Sequence, residues 1–188
     1  RLAGASWAPG APLGTARLNS IVGGGLATGF TVAIVGAGGV IHTSVNSGPM
    51  TLRTTPSAPA DLHTAWYGAG GVLFAAGANG TILRSLDGST WTALTSGTTQ
   101  ALYGGASALT QNYIAVGAGG VIARSGDADT WTTNSAGSTD LYAATFGALR
   151  FVVVGAGGAI YFSTDGANWG PGPVLTDKSL HGVVYGLV

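Results

Sequence analysis

The stretch VAIVGAGGVIHTS, which begins at Val32, returns nearly unchanged as YIAVGAGGVIARS at Tyr113, 81 residues later. Its core recurs four times, as Gly36-Ala-Gly-Gly39, Gly77-Ala-Asn-Gly80, Gly117-Ala-Gly-Gly120 and Gly155-Ala-Gly-Gly158, at spacings of 41, 40 and 38 residues. A period of this length leaves few folds open. Each copy is one supersecondary unit that cannot bury its apolar face alone and must stack on its neighbours. Each tetrapeptide follows a β-rich run (FTVAIV, GVLFAA, NYIAV, FVVV) and precedes a shorter one (VIHTS, TILRS, VIARS, AIYFS). Val, Ile and aromatics between glycine-rich turns read as paired strands. A dinucleotide-binding glycine loop would open a helix, and here a second strand follows at once, so a phosphate cradle is not expected. The tetrapeptide suits a type I turn with Ala at its first central position and Gly80 or its equivalent in the left-handed conformation.

Two further phrases complete the unit. Ser85-Leu-Asp87-Gly-Ser-Thr-Trp91 matches Ser125-Gly-Asp127-Ala-Asp-Thr-Trp131 and Ser163-Thr-Asp165-Gly-Ala-Asn-Trp169, with worn copies at Ser44–Met50 and Arg1–Trp7. In this turn an Asp carboxylate accepts backbone N–H groups, and the Trp that follows buries a large ring between sheets. The third phrase starts at Leu18, Leu62, Leu102, Leu141 and Leu180, each time as a short strand. Four strands in about 40 residues is the size of a propeller blade.

Together, FVVVGAGGAIYFSTDGANW and its siblings resemble the Asp-box, or BNR-like, repeats of β-propellers. That superfamily includes sialidases, sortilin-type receptors and photosystem II assembly-factor-like proteins, and bacterial exported proteins with FVAVG..G.I..S.DG..W repeats are similar. The likeness covers essentially the whole chain. It implies an all-β fold, a β-propeller of four-stranded antiparallel blades, and structural roles for Asp87, Trp91, Asp127, Trp131, Asp165 and Trp169. The boxes depart from the commonest family form by being one residue shorter, and Ala128 replaces their Gly.

The expected organisation is a single propeller domain over residues 1–188. Its units run over 18–61, 62–101, 102–140 and 141–179, with terminal half-blades at 1–17 and 180–188. About five blades result, the last split between the termini and reduced. The missing strands could be dispensed with, supplied by another chain, or belong to a longer propeller, and the first option is favoured. An uncovered blade end would invite association.

Composition then limits the chemistry. Charged residues make up 7% of the chain, the net charge is zero, and one Lys and six scattered Arg cannot form a nucleic-acid surface. No apolar run approaches a membrane span. The absence of Cys excludes a disulfide scaffold. With Gly, Ala, Ser and Thr in place of charge, the composition suggests an extracellular or particle-surface protein. The chain has no Glu and seven Asp, three of them in the boxes, so the paired acids of a glycoside hydrolase are not expected. Arg84 and Arg124 are equivalent positions in successive blades and would sit side by side around a ring rather than converge. No catalytic residue, cofactor or metal site is expected, since two equivalent His fall short of a ligand set.

The residues that vary between units are the candidates for recognition. Asn19, His63, Tyr103, Tyr142 and His181 all follow the Leu that opens the first strand. That strand lines a propeller's central channel, so they form a ring at one mouth, either as a binding site or as amphipathic packing. Trp66 and Tyr67 are a possible stacking surface for a sugar. His42, Leu83, Ala123 and Tyr161 occupy equivalent positions whose divergence suits a solvated face. The expected function is a non-catalytic binding or scaffold module engaging a protein partner or like subunits. The alternative is a multivalent lectin, with a hydrolase ranked last.

Overall fold

The computed structural model describes residues 12–56 and 60–186. Each unit forms one antiparallel sheet whose four strands bond in chain order. Blade one holds β1 (Leu18–Leu26), β2 (Gly29–Gly36), β3 (Ile41–Val45) and β4 (Thr51–Arg53). Blade two holds β5 (Leu62–Gly68), β6 (Val72–Gly77), β7 (Ile82–Ser85) and β8 (Thr92–Leu94). Blade three holds β9 (Leu102–Ala108), β10 (Asn112–Gly117), β11 (Val121–Ser125) and β12 (Trp131–Ser135). Blade four holds β13 (Leu141–Gly147), β14 (Arg150–Gly155), β15 (Ile160–Ser163) and β16 (Gly170–Pro171). The only helical elements among the described residues are the three-residue 3-10 turns at the glycine tetrapeptides.

The first strands touch one another in the order β1, β5, β9, β13, so they line the axis of a β-propeller and the fourth strands form its rim. Three apolar seams hold the blades. Val22, Ala33, Val35 and Ile41 of blade one meet Leu62, Leu73, Ala75, Leu83 and Trp91 of blade two. Trp66, Phe74, Ala76 and Ile82 meet Leu102, Tyr113, Ala115, Ala123 and Trp131 across the second seam. Ile114, Val116 and Ile122 meet Leu141, Phe151, Val153, Tyr161 and Trp169 across the third. Blade two is covered on both faces, so every residue of β6 is buried and the strand reads as a continuous apolar run. Leu73 and Phe74 point to opposite seams and are fully buried. Side chains of this size each contribute about 1.5–3 kcal/mol when removed from water.

The glycine tetrapeptide folds differently from the type I turn that the sequence suggests. Thr81 N–H donates to the Ala78 carbonyl at 3.0 Å, so the central pair is Asn79-Gly80, with φ of 56° and 66°. Both residues are left-handed, as in the type I′ turn that matches strand twist in tight hairpins. The third position therefore takes Gly or Asn, and Ala lies before the bend. A second difference concerns the positions expected to face solvent. His42, Leu83 and Ala123 are buried and Tyr161 is half-buried, because the third strand has both faces in seams.

Residues 180–186 take the place of a fifth inner strand. Leu180 N–H donates to the Gly155 carbonyl at 2.9 Å. Tyr185 covers Gly147, where a Cβ would lie 2.0 Å from its ring, just as Tyr67 covers Gly24, where the gap would be 2.7 Å. Apart from that bond to the end of β14, no strand pairs with this segment among the described residues. Most of the half-blade expected over 1–17, including the worn box at Arg1–Trp7, lies outside the described residues.

Candidate functional site

Every first strand begins at the end of the propeller that also carries the glycine turns, because Leu62 pairs with Gly77 and Leu141 with Gly155. The residue after each Leu therefore reaches the same channel mouth, and four of the five candidates stack there in sequence. The His63 and Tyr103 ring centroids lie 5.5 Å apart, Tyr103 and Tyr142 5.8 Å, and Tyr142 and His181 4.7 Å with only 16° between planes. Asn19 starts the row by donating from Nδ2 to the Leu62 carbonyl at 2.7 Å, beside His63. Asn19, His63, Tyr103 and Tyr142 are half-buried and His181 is exposed, so every member of the row is partly open to solvent.

Charges sit at one side of this row. The Asp61 and Asp140 carboxylates each accept one backbone N–H, from Gly38 and Gly119 respectively, at 2.8 Å. They thereby tie a glycine turn to the first strand of the next blade. Arg17 lies 3.9 Å from Asp61. Burial lowers the pKa of His63, with Asp61 opposing and Arg17 reinforcing that shift. Burial raises the pKa of Tyr103, and Asp140 and Tyr142 add to the rise. Both shifts favour the uncharged forms of His63 and Tyr103, with carboxylates beside them. The capping role of Asp61 and Asp140 was not read from the sequence, although both directly precede the Leu of a first strand.

The Asp turns lie at the opposite end. Asp127 Oδ1 accepts the Asp129 and Thr130 N–H groups at 2.9 and 2.7 Å and the Ser125 hydroxyl at 3.0 Å. Those hydrogen bonds, led by the one from Thr130, hold its pKa down to about 2. Asp165 is held low by the same means, first by the N–H of Asn168 and then by its side-chain amide. At Asp87 burial pulls upward, but the N–H groups of Thr90 and Ser89 outweigh it. All three carboxylates are occupied in closing their own turns. Trp91 and Trp131 follow into the seams and are buried, and Trp169 is half-buried with its indole N–H donating to the Gly166 carbonyl.

The proposed stacking pair is not free. Trp66 is 6% exposed, stacks on Phe74 at a centroid distance of 5.1 Å and faces Gly105, so it offers no ring to a sugar. Tyr67 is half-buried and donates its hydroxyl to the Thr31 carbonyl at 2.6 Å across the first seam. Arg84 and Arg124 have partners that the sequence did not suggest. Arg84 pairs with Asp129, and Arg124 Nε donates to the Asp165 carbonyl at 3.0 Å, each reaching the Asp turn of the next blade. Thr43, the equivalent residue of blade one, donates to the Gly88 carbonyl at 2.7 Å. Their shared position in the third strand was the available signal.

No protein-family model and no curated protein sequence matches the chain. Solved structures do. Virginiamycin B lyase from Staphylococcus aureus matches 82% of the chain and 54% of its own, with a TM-score of 0.69 at 16% identity. A streptogramin B lyase matches 84% and 55%, with a TM-score of 0.70 at 15% identity. YCF48 bound to D1 peptide matches 82% and 52%, with a TM-score of 0.58 at 21% identity. The chain spans about half the length of each. These likenesses overturn the expectation that the chain is not an enzyme, because solved structures similar to it include a virginiamycin B lyase and a streptogramin B lyase. At such identities they establish the architecture alone: the chain is a β-propeller of four-stranded antiparallel blades.

Proposed function

We propose that the chain is a protein-binding propeller whose recognition surface is the row Asn19, His63, Tyr103, Tyr142 and His181 at the channel mouth. The single observation that carries this reading is the continuity of the row. Four blades and the C-terminal segment contribute one residue each, the four rings follow one another at centroid distances of 4.7–5.8 Å, and none is sealed in a seam. Tyr and His combine an apolar body with a polar tip and lose little entropy on contact, which suits them to anchoring a peptide. The likeness to a propeller solved with a peptide lends support. The partner is a protein or a further copy of the chain, and we place the module outside the cell or on a particle surface, consistent with a cysteine-free, Gly-, Ala- and Thr-rich sequence. We also assign the repeats to the Asp-box class, on the turn geometry of Asp87, Asp127 and Asp165.

The test is peptide selection on the immobilised chain from a displayed random library. Tyr142→Ala should weaken the selected peptides at least about tenfold, the size expected of an aromatic anchor. Leu109→Ala, on an exposed turn at the other end, should leave them unchanged. Selected peptides indifferent to both Tyr142→Ala and Tyr103→Ala, in folded proteins, would overturn the proposal.

A further inference from the structure

Beside the Asp turns the three seams are closed by different means, and the first is left one charge short. In the second seam Arg84 of the third strand pairs with Asp129 in the turn of the next blade. In the third, Arg124 Nε donates to the Asp165 carbonyl at 3.0 Å and to Asn112 Oδ1 at 3.1 Å, and Asn134 of the fourth strand donates to the Ala167 carbonyl. In the first seam Thr43 stands where Arg84 and Arg124 do, and the guanidinium comes from the fourth strand instead. Arg53 Nε donates to the Thr43 hydroxyl at 2.6 Å. Thr43 is fully buried and donates in turn to the Gly88 carbonyl at 2.7 Å, so its oxygen is a fixed anchor. Arg53 is itself half-buried, and in the turn of blade two the neutral Ser89 takes the place that Asp129 holds in the next turn. Among the described residues no carboxylate lies within ion-pair distance of Arg53. By register its counterpart in blade two is Leu94, which packs on the second seam, so packing alone does not call for a charge at this position.

A cleft of about 440 Å3 opens here between the rim of blade one and the Asp turn of blade two, and Thr54, Thr55, Ser89 and Thr90 line it together with Arg53. A guanidinium anchored through Nε keeps its Nη groups for a second partner, and their planar fork matches paired anionic oxygens. A half-buried charge without a counter-charge carries a cost that a bound anion removes. We infer that this cleft binds a small polyhydroxylated anion, as in a sugar acid or a sugar phosphate. Its anionic oxygens lie on Arg53 and its hydroxyls on Thr54, Thr55, Ser89 and Thr90. The site is single, because Asp129 and the Asp165 carbonyl already occupy the arginines of the other two seams. It shares no residue with the row at the channel mouth, so either proposal can fail without the other.

Titration of the chain with D-glucuronate and with D-glucose 6-phosphate, followed by amide NMR, tests the inference and separates the two sources of the anion. At least one of them should bind saturably at one per chain and shift the amides of residues 52–55 and 88–91. D-glucose and acetate, which carry the hydroxyls or the charge alone, should bind at least about tenfold more weakly. Arg53→Gln should weaken binding at least about tenfold, the scale of a lost charge-assisted pair. Ser89→Asp copies the carboxylate that Asp129 supplies in the next seam and should abolish binding, whereas Tyr142→Ala should leave it unchanged. The inference is overturned if neither anion binds, if the shifts fall elsewhere, or if glucose or acetate binds as tightly. It is equally overturned if folded Arg53→Gln and Ser89→Asp bind like the parent.

Discussion

The first glycine of each tetrapeptide meets a carbonyl oxygen rather than a side chain. A Cβ on Gly77 would lie 1.9 Å from the Asp61 oxygen, and one on Gly36 2.1 Å from that of Arg17. Main chain on both sides cannot yield cheaply, so Gly77→Ala should cost about 2–4 kcal/mol in the denaturant midpoint, as overpacking against a rigid neighbour does. Gly38 has open space but φ of 65°, so Gly38→Ala should cost only the left-handed penalty of about 1–2 kcal/mol. The Asp turns give stability its acid dependence. Their folded pKa values are depressed, so their contribution is fully present above the ordinary carboxylate value of 3.8 and fades as pH falls through about 2 for Asp127. Chemical denaturation between pH 5 and 2 should show the decline, and it should be shallower in Asp127→Asn. The Asp roles were legible because Ser, Asp and Trp recur in register. The turn type was not, since Gly at three of the four third positions fits either turn, and only Asn79 pointed to a left-handed pair there.

Strands of the middle blades work on two seams at once, and this sets their sensitivity. Phe74 packs on Trp66 and Tyr113 at 5.1 Å each and on Trp131 at 5.5 Å. Phe74→Ala should therefore cost about 3–5 kcal/mol, read from the urea midpoint. Ile122→Ala should cost about 2–5 kcal/mol and Ile160→Ala clearly less, although the two are equivalent in sequence, because only the first is sealed by a following blade. The four-strand unit was legible from the alternation of apolar runs and turns. Which faces those runs bury was not. A third strand such as Ile82–Ser85 looks half-exposed in isolation, and only packing between blades buries Leu83 against the preceding blade and Ile82 against the next, where Arg84 becomes a cross-link.

At the scale of the molecule the blades form a row in which each touches only its neighbours, so protection should grade along it. Hydrogen exchange followed by mass spectrometry should find β6 and β10 slowest, with β4 and β16 fastest. The repeat period announced a propeller, and equivalent positions brought His63, Tyr103, Tyr142 and His181 to one mouth. How far the arc closes was not legible, because repeats specify the contact between successive blades and are silent about the last one. The three indole nitrogens of Trp66, Trp91 and Trp131 have no hydrogen-bond partner and are closed off from solvent. Such dry chromophores emit at short wavelengths, and Trp91 belongs to a different seam from the other two. The chain therefore carries an intrinsic optical gauge: in a variant that keeps Trp91 as its sole tryptophan, a red shift would time the parting of blades one and two, with no label attached.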